Sequence, residues 1–86
     1  MFPEIVRQTQ TAAHGVPLMV STVKIAPQYY DTVIFNDSEE RSASHLTFAG
    51  MTVDQTNIRN ITREAAMETH RAALDAIGVA SRPGEK

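Results

Sequence analysis

Residues 62–78, with the sequence TREAAMETHRAALDAIG, form the segment that decides the fold of this chain. On a helix with about 100° per residue, its main apolar side chains fall within an arc of roughly 120°. These are Ala66, Met67, Ala73, Leu74 and Ile77. Thr62 is a favourable N-cap, Glu64 suits the first turn, and Gly78 is a typical helix terminator. The segment therefore predicts an amphipathic helix that begins after Thr62, packs on a core and ends at Gly78.

His70 projects into the apolar arc of this helix. A histidine in such a place either packs in the core or serves as a general base, a metal ligand or a pH-sensitive contact. The other two histidines, His14 and His45, stand at no metal-ligand spacing, and no orienting carboxylate is evident beside His70. We therefore expect His70 to be a structural core histidine that donates to a strand carbonyl or hydroxyl.

The segments before the helix are rich in β-branched and aromatic side chains, which favour strands. Pro27 suits the second position of a turn between the first two strands, and Gly50 predicts a bend within the third. The polar run 37–42 predicts a loop. The predicted strands are residues 17–26, 29–36, 45–53 and 57–61.

The N-terminal residues 3–14 predict a second helix. Pro3 suits the first helical position, Glu4 complements the helix dipole, and Gly15 is placed to end the segment. The expected fold class is α+β, an antiparallel sheet of three to four strands packed on the C-terminal helix, with this N-terminal helix added. We expect one domain over residues 1–79 and a flexible tail over 80–86.

Both faces of the first two predicted strands carry apolar side chains. In the first strand Met19, Val23 and Ile25 oppose Leu18 and Val20; in the second, Val33 and Phe35 oppose Tyr30 and Ile34. A strand with one solvated face alternates more cleanly between apolar and polar residues. The second face of the sheet is therefore covered either by the N-terminal helix or by another protein chain.

Composition excludes several classes of function. The 86 residues carry a net charge of −2, and no two of the eight basic residues are adjacent, which argues against nucleic-acid binding. The absence of cysteine removes disulfides, thiolate nucleophiles and cysteine-ligated zinc. No secretory signal is evident, and no apolar run reaches the roughly 20 residues that cross a bilayer. We expect a cytoplasmic protein with no cofactor and no membrane partner.

Motifs that carry catalysis are also missing from the sequence, which has no nucleophile elbow and no glycine-rich phosphate loop. Acidic residues Asp37, Glu39 and Glu40 lack the spacing and central glycine of a calcium loop, so a solvated loop is expected there. The chain is therefore predicted not to be an enzyme.

The residues best suited to partner contact are Tyr29, Tyr30 and Ile34 on the second strand. Tyrosine is favoured at interfaces because it buries a ring while it keeps a polar tip.

Three short motifs resemble small uncharacterised proteins of actinobacterial phages and prophages. They are Val20-Ser21-Thr22-Val23, Asp31-Thr32-Val33-Ile34-Phe35, and Thr62-Arg63-Glu64-Ala65-Ala66 followed by His70. Those proteins show a VSTV strand, an ETMVF strand and a T-x-x-E-A helix start with a histidine shortly after. Here Asp31 and Ile34 depart from the second pattern, and Glu64 stands one place earlier than the acidic residue of the third. The resemblance implies phage origin and transfers no catalytic residue.

Two functions from different classes follow from these observations. The leading one is a non-enzymatic phage-type protein that binds a host protein in the bacterial cytoplasm and inhibits it. The alternative is a structural or self-assembling protein, either a minor virion component or a homo-oligomer. A third class, a small enzyme or ligand-binding domain centred on His70, needs an oriented partner for that ring.

Overall fold

A computed structural model describes residues 3–39, 41–55 and 58–80 of the chain. Four antiparallel strands form the main sheet, and one helix packs against it. In their order across the sheet, the strands are β1 (Glu4–Ala13), β2 (Val16–Ala26), β3 (Tyr29–Asn36) and β6 (Ile58–Asn60), and the helix is α1 (Arg63–Ala80). The predicted α+β class, with an antiparallel sheet on a C-terminal helix, is confirmed.

The predicted N-terminal helix over residues 3–14 is wrong, because this segment forms strand β1. His14 and Gly15 have φ angles of 54° and 80°, and they form the two-residue turn of a hairpin in which Ala13 pairs with Val16. The polar residues 7–11 would give a helix few apolar side chains to bury. They suit a strand better, because alternate side chains of a strand turn to opposite faces and only every second one faces the core. Pairing along β2 then supplies the hydrogen bonds that the isolated segment lacks.

Strands β2 and β3 match the predicted segments and are joined by a turn at Pro27 and Gln28, where Gln28 has a φ of 62°. This combination is typical of a type II turn, with proline first and a positive φ second. The predicted fourth strand appears as β6, within residues 57–61, of which Asn57 lies outside the described residues.

The predicted third strand over residues 45–53 is wrong as a single strand. A short 3-10 helix (Arg41–His45) overlaps the end of the loop predicted at 37–42. A small hairpin of β4 (Thr47–Phe48) and β5 (Met51–Thr52) follows this helix. The predicted bend at Gly50 is present, because Gly50, with a φ of 83°, lies in the turn of this hairpin. The chain folds back here so that Phe48, Met51 and Val53 enter the core.

Helix α1 begins as predicted and ends later than predicted. The backbone N–H of Ala65 donates to Thr62 Oγ1 at 3.1 Å, which makes Thr62 the N-cap. The helix continues through Gly78 to Ala80, so Gly78 is not its terminator. Of the tail predicted at 80–86, Ala80 belongs to the helix and residues 81–86 lie outside the described residues.

The core lies between α1 and one face of the main sheet, and the small hairpin closes one end of it. Four helix residues at three- and four-residue spacing are fully buried, namely Ala66, His70, Ala73 and Ile77. Ala73 and Ile77 belong to one hydrophobic cluster with Leu18, Val20 and Ile34 from β2 and β3 and with Ala43, Phe48, Met51 and Val53 from the connecting segment. All the described elements outside the main sheet therefore gather on one face of it.

Candidate functional site

The other face of the main sheet has none of these elements on it, and we call it the open sheet face. Strand register places Met19 opposite both Gln10 and Phe35, and Ser21 opposite both Gln8 and Val33. Since side chains alternate between faces along a strand, the apolar members of this face can be read directly from the register. They are Ile5, Met19, Val23, Tyr29, Val33 and Phe35.

Solvent reaches these apolar side chains to different degrees. Ile5 is 64% exposed and Phe35 is 42% exposed, while Met19, Val23 and Val33 are half-buried. At about 3.3 Å per residue and 4.8 Å between strands, the face spans roughly 500 Å². Polar Gln8, Gln10 and Ser21 share this area with the apolar side chains. Apolar patches rimmed by polar residues often mark interaction sites.

One charged pair lies at the end of the open sheet face. Asp31 pairs across the strands with Arg59, whose Nε stands 3.6 Å from Asp31 Oδ1, and the Arg59 guanidinium lies 5.3 Å from the centre of the Tyr29 ring. The Asp31 side chain is only 13% exposed, and its Oδ1 accepts no hydrogen bond in the described part of the chain. The face therefore combines an apolar surface with an ion pair at its end.

Of the three predicted contact residues, only Tyr29 lies on the open sheet face. Tyr30 points to the helix side, is 6% exposed, and has the Lys24 ammonium 5.7 Å from its ring centre. Ile34 is fully buried in the core. The fold therefore uses the Tyr30 and Ile34 side chains inside the chain, and of the three predicted contact residues it leaves Tyr29 for a partner.

His70 lies at the centre of a buried polar chain between α1 and the sheet. Its Nδ1 is 2.8 Å from Thr22 Oγ1, its Nε2 is 2.9 Å from Thr9 Oγ1, and Thr22 Oγ1 is 2.8 Å from Thr32 Oγ1. The ring, Thr22 and Thr32 are fully buried. Strand hydroxyls thus occupy both ring nitrogens, in the structural position that the sequence predicts.

Burial lowers the pKa of His70, and the nearby Arg7 guanidinium lowers it further. The neutral ring satisfies this site, because it donates through one nitrogen and accepts through the other. A general base in this position needs a carboxylate or similar group to orient it. The groups that contact this ring are hydroxyls, and the geometry is that of a packing residue.

A polar depression of about 500 Å³ lies where β3 meets the connecting loops. Asp54 holds these loops together, since its Oδ1 accepts from the Asn36 backbone N–H and its Oδ2 accepts from Ser44 Oγ. Glu39 and Arg41 line the same depression. Within residues 3–39, 41–55 and 58–80, no group of three His, Asp or Glu side chains is placed to hold a metal ion.

The sequence signal for the open sheet face is the apolar character of both faces of β2 and β3. The position of Ile5 on that face was not predicted, because it depends on β1 being a strand. None of the described helices is long and apolar enough to cross a membrane. No protein family, curated protein or solved structure matches the chain, so its own residues must carry the functional argument.

Proposed function

We propose that the protein is a non-enzymatic binding protein that attaches to a partner protein through its open sheet face. The observation that carries this proposal is the uncovered apolar surface of β1, β2 and β3, where Ile5 and Phe35 are exposed. Covering such a surface is favourable by about 25 cal/mol for each Å² of apolar area removed from water.

The pair of Asp31 and Arg59 supplies specificity at the same surface. Asp31 Oδ1 is buried and lies 3.6 Å from Arg59 Nε, so the charged group of this pair that a partner can reach is the Arg59 guanidinium. Arg59 is 67% exposed, and its guanidinium carries further N–H donors that can bond to an acceptor on the partner while Nε stays beside Asp31. An apolar surface with a polar group at its rim is the usual arrangement of protein interfaces.

The resemblance to actinobacteriophage proteins favours a bacterial host protein as this partner, and inhibition is the expected effect of covering that protein. The alternative of self-assembly uses the same apolar surface between copies of the chain. In the first case a host protein covers the open sheet face, and in the second case another copy of the chain covers it. One experiment separates these two cases.

Affinity capture from an actinobacterial lysate tests the proposal with three baits: the wild type, the double variant Ile5→Ser with Phe35→Ser, and Val79→Ser. Val79 is the matched control, because it is 61% exposed but lies on the helix. We expect one host protein to be retained by the wild type and Val79→Ser and lost from the double variant. Equal recovery on all three baits, or recovery of the chain itself alone, contradicts host binding through this face.

A further inference from the structure

Most apolar side chains of the open sheet face form a band along its two central strands. Met19 and Val23 come from β2, and Tyr29, Val33 and Phe35 come from β3. At about 4.8 Å between strands, two strands give a band about 10 Å wide, and at about 3.3 Å per residue its length along β3 is about 20 Å. The band therefore has the width of one α-helix and the length of about 13 helical residues.

Polar side chains flank this band. On the β1 side Gln8 and Gln10 are exposed, and Gln8 Nε2 donates to Ser21 Oγ at 3.1 Å. On the β6 side Arg59 is 67% exposed. The polar residues within the band lie low in it, since Ser21 is buried and the Asp31 side chain is 13% exposed. An occupant about 10 Å wide therefore covers the apolar side chains and leaves the glutamines and the arginine at its edges.

The backbone of the sheet also restricts the occupant. Strand β2 pairs along both of its edges, so its backbone N–H and C=O groups already have partners. A segment laid on this face must satisfy its own backbone hydrogen bonds, which a helix does and a lone extended strand does not. A second sheet also does so, but it extends over Gln8 and Gln10 and buries their amides, at a cost in free energy. Another copy of the chain that packs its own open sheet face here is such a sheet.

We propose that the open sheet face binds an amphipathic α-helix of the partner protein, and that this helix carries an acidic side chain that bonds to Arg59. The inference rests on the proposed function, because it names the element of the partner that covers the face. The apolar residues of such a helix stand at i, i+4, i+7 and i+11. Helix α1 uses the same spacing on the other face of the sheet, with Ala66, His70, Ala73 and Ile77.

Charge complementarity determines the acidic residue. Among the described residues of the open sheet face, Arg59 carries the exposed charge. Its guanidinium lies 5.3 Å from the centre of the Tyr29 ring, at one end of the band, and its Nε lies 3.6 Å from Asp31 Oδ1. The other N–H groups of the guanidinium are suited to a charge-assisted bond with a carboxylate. We therefore place the acidic residue near the end of the helix that lies over Tyr29.

Selection from two display libraries tests this inference, with the wild-type protein as the immobilised target. One library randomises one face of a helix of about 20 residues in a stable helical scaffold, and the other randomises one face of a β-hairpin scaffold. We expect binders from the helix library alone, with apolar residues at the spacing given above and Asp or Glu near one end of the helix. Binders from the hairpin library alone, or helical binders without an acidic residue, overturn the inference.

Fluorescence anisotropy then measures the affinity of the best helical binder for three variants. We expect Phe35→Ser to weaken binding at least tenfold, and Val79→Ser, on the exposed surface of α1, to leave it unchanged. Arg59→Gln keeps an N–H donor beside Asp31 and removes the charge, so we expect binding about threefold weaker. Unchanged affinity for Phe35→Ser or for Arg59→Gln, or equal weakening by all three variants, overturns the inference.

The failure of this inference is distinguishable from the failure of the proposed function. If affinity capture retains a host protein through Phe35 but the helix library gives no binder, the partner uses another element and only the inference fails. If capture retains no host protein, the proposed function fails whatever the libraries give. A wild-type chain that sediments as a dimer and becomes monomeric on Phe35→Ser contradicts both, because another copy then covers the face.

Discussion

Among the described residues, both ring nitrogens of His70 are hydrogen-bonded to threonine hydroxyls, those of Thr9 and Thr22, and this determines how the ring responds to pH. The pKa of His70 is lowered in the folded chain, so as the pH falls below about 6.5 the unfolded chain binds this proton first. The contribution of the neutral ring to stability is complete above that pH. It is lost as the pH falls through the lowered pKa.

We therefore predict that His70→Gln reduces the dependence of stability on pH. Urea unfolding at about pH 7.5 and about pH 5.5 should show a larger loss of unfolding free energy for the wild type than for the variant. Glutamine retains a donor and an acceptor for the threonine hydroxyls without titrating. If both proteins lose the same free energy between these two pH values, His70 is not the group responsible.

Thr22 is the shared member of the polar chain, because its hydroxyl contacts both His70 and Thr32. Thr22→Val is expected to lower the free energy of unfolding by about 1–3 kcal/mol, since it leaves two buried polar groups without this partner. Thr47→Val is the control, because the Thr47 hydroxyl forms a similar hydrogen bond with Thr52, but on the exposed small hairpin. Urea titration of both variants checks the difference; equal small losses would show that the buried chain adds nothing to stability.

At the scale of elements, two glycines have opposite roles although the sequence predicts both as helix terminators. Gly78 lies within α1 with no positive φ and no atom within 4 Å of an added Cβ, whereas Gly15 has a φ of 80° in the β1–β2 turn. Gly78→Ala is expected to stabilise the fold by about 0.5–1 kcal/mol. Gly15→Ala is expected to destabilise it by about 1–2 kcal/mol. Thermal or urea unfolding measures both, and destabilisation by Gly78→Ala would contradict the observed helix end.

The elements that could be predicted are those whose signal is local. The stripe of α1, its N-cap at Thr62 and the strands around Pro27 are each specified by nearby residues. Strand β1 could not be predicted because its hydrogen bonds come from β2, and Pro3, Glu4 and Gly15 also suit a helix. Residues 45–53 are apolar enough to predict a single strand. That this segment instead folds back on itself follows only from the position of the core, which Phe48, Met51 and Val53 must reach.

The residues of the candidate site could also be predicted only where the sequence signal is local. His70 could be placed near the core from its position in the helical stripe, and the structure supplies its threonine partners. Apolar residues on both faces of β2 and β3 predicted that the second face of the sheet is covered as well as the first. Of the two covers that the sequence left open, the N-terminal helix does not exist, because the same residues extend the sheet as β1. Tyr29 could be chosen as a contact residue, but separating it from Tyr30 and Ile34 required the strand register.

At the scale of the whole molecule, the fold uses one face of its sheet for a core and leaves the other without cover among the described residues. The small hairpin, the 3-10 helix and α1 all pack on the core side. The apolar side chains of the open sheet face are therefore available to another chain. We propose that a host protein binds there.

Photo-cross-linking in the bacterial host tests this claim most directly, with a benzophenone amino acid placed at Phe35 or, as the control, at Val79. Both side chains are exposed, but only Phe35 lies on the open sheet face. We predict one discrete adduct from position 35, with a mass that differs from twice that of the chain, and no such adduct from position 79. The same adducts from both positions, or from position 35 only an adduct of two copies, would contradict the account.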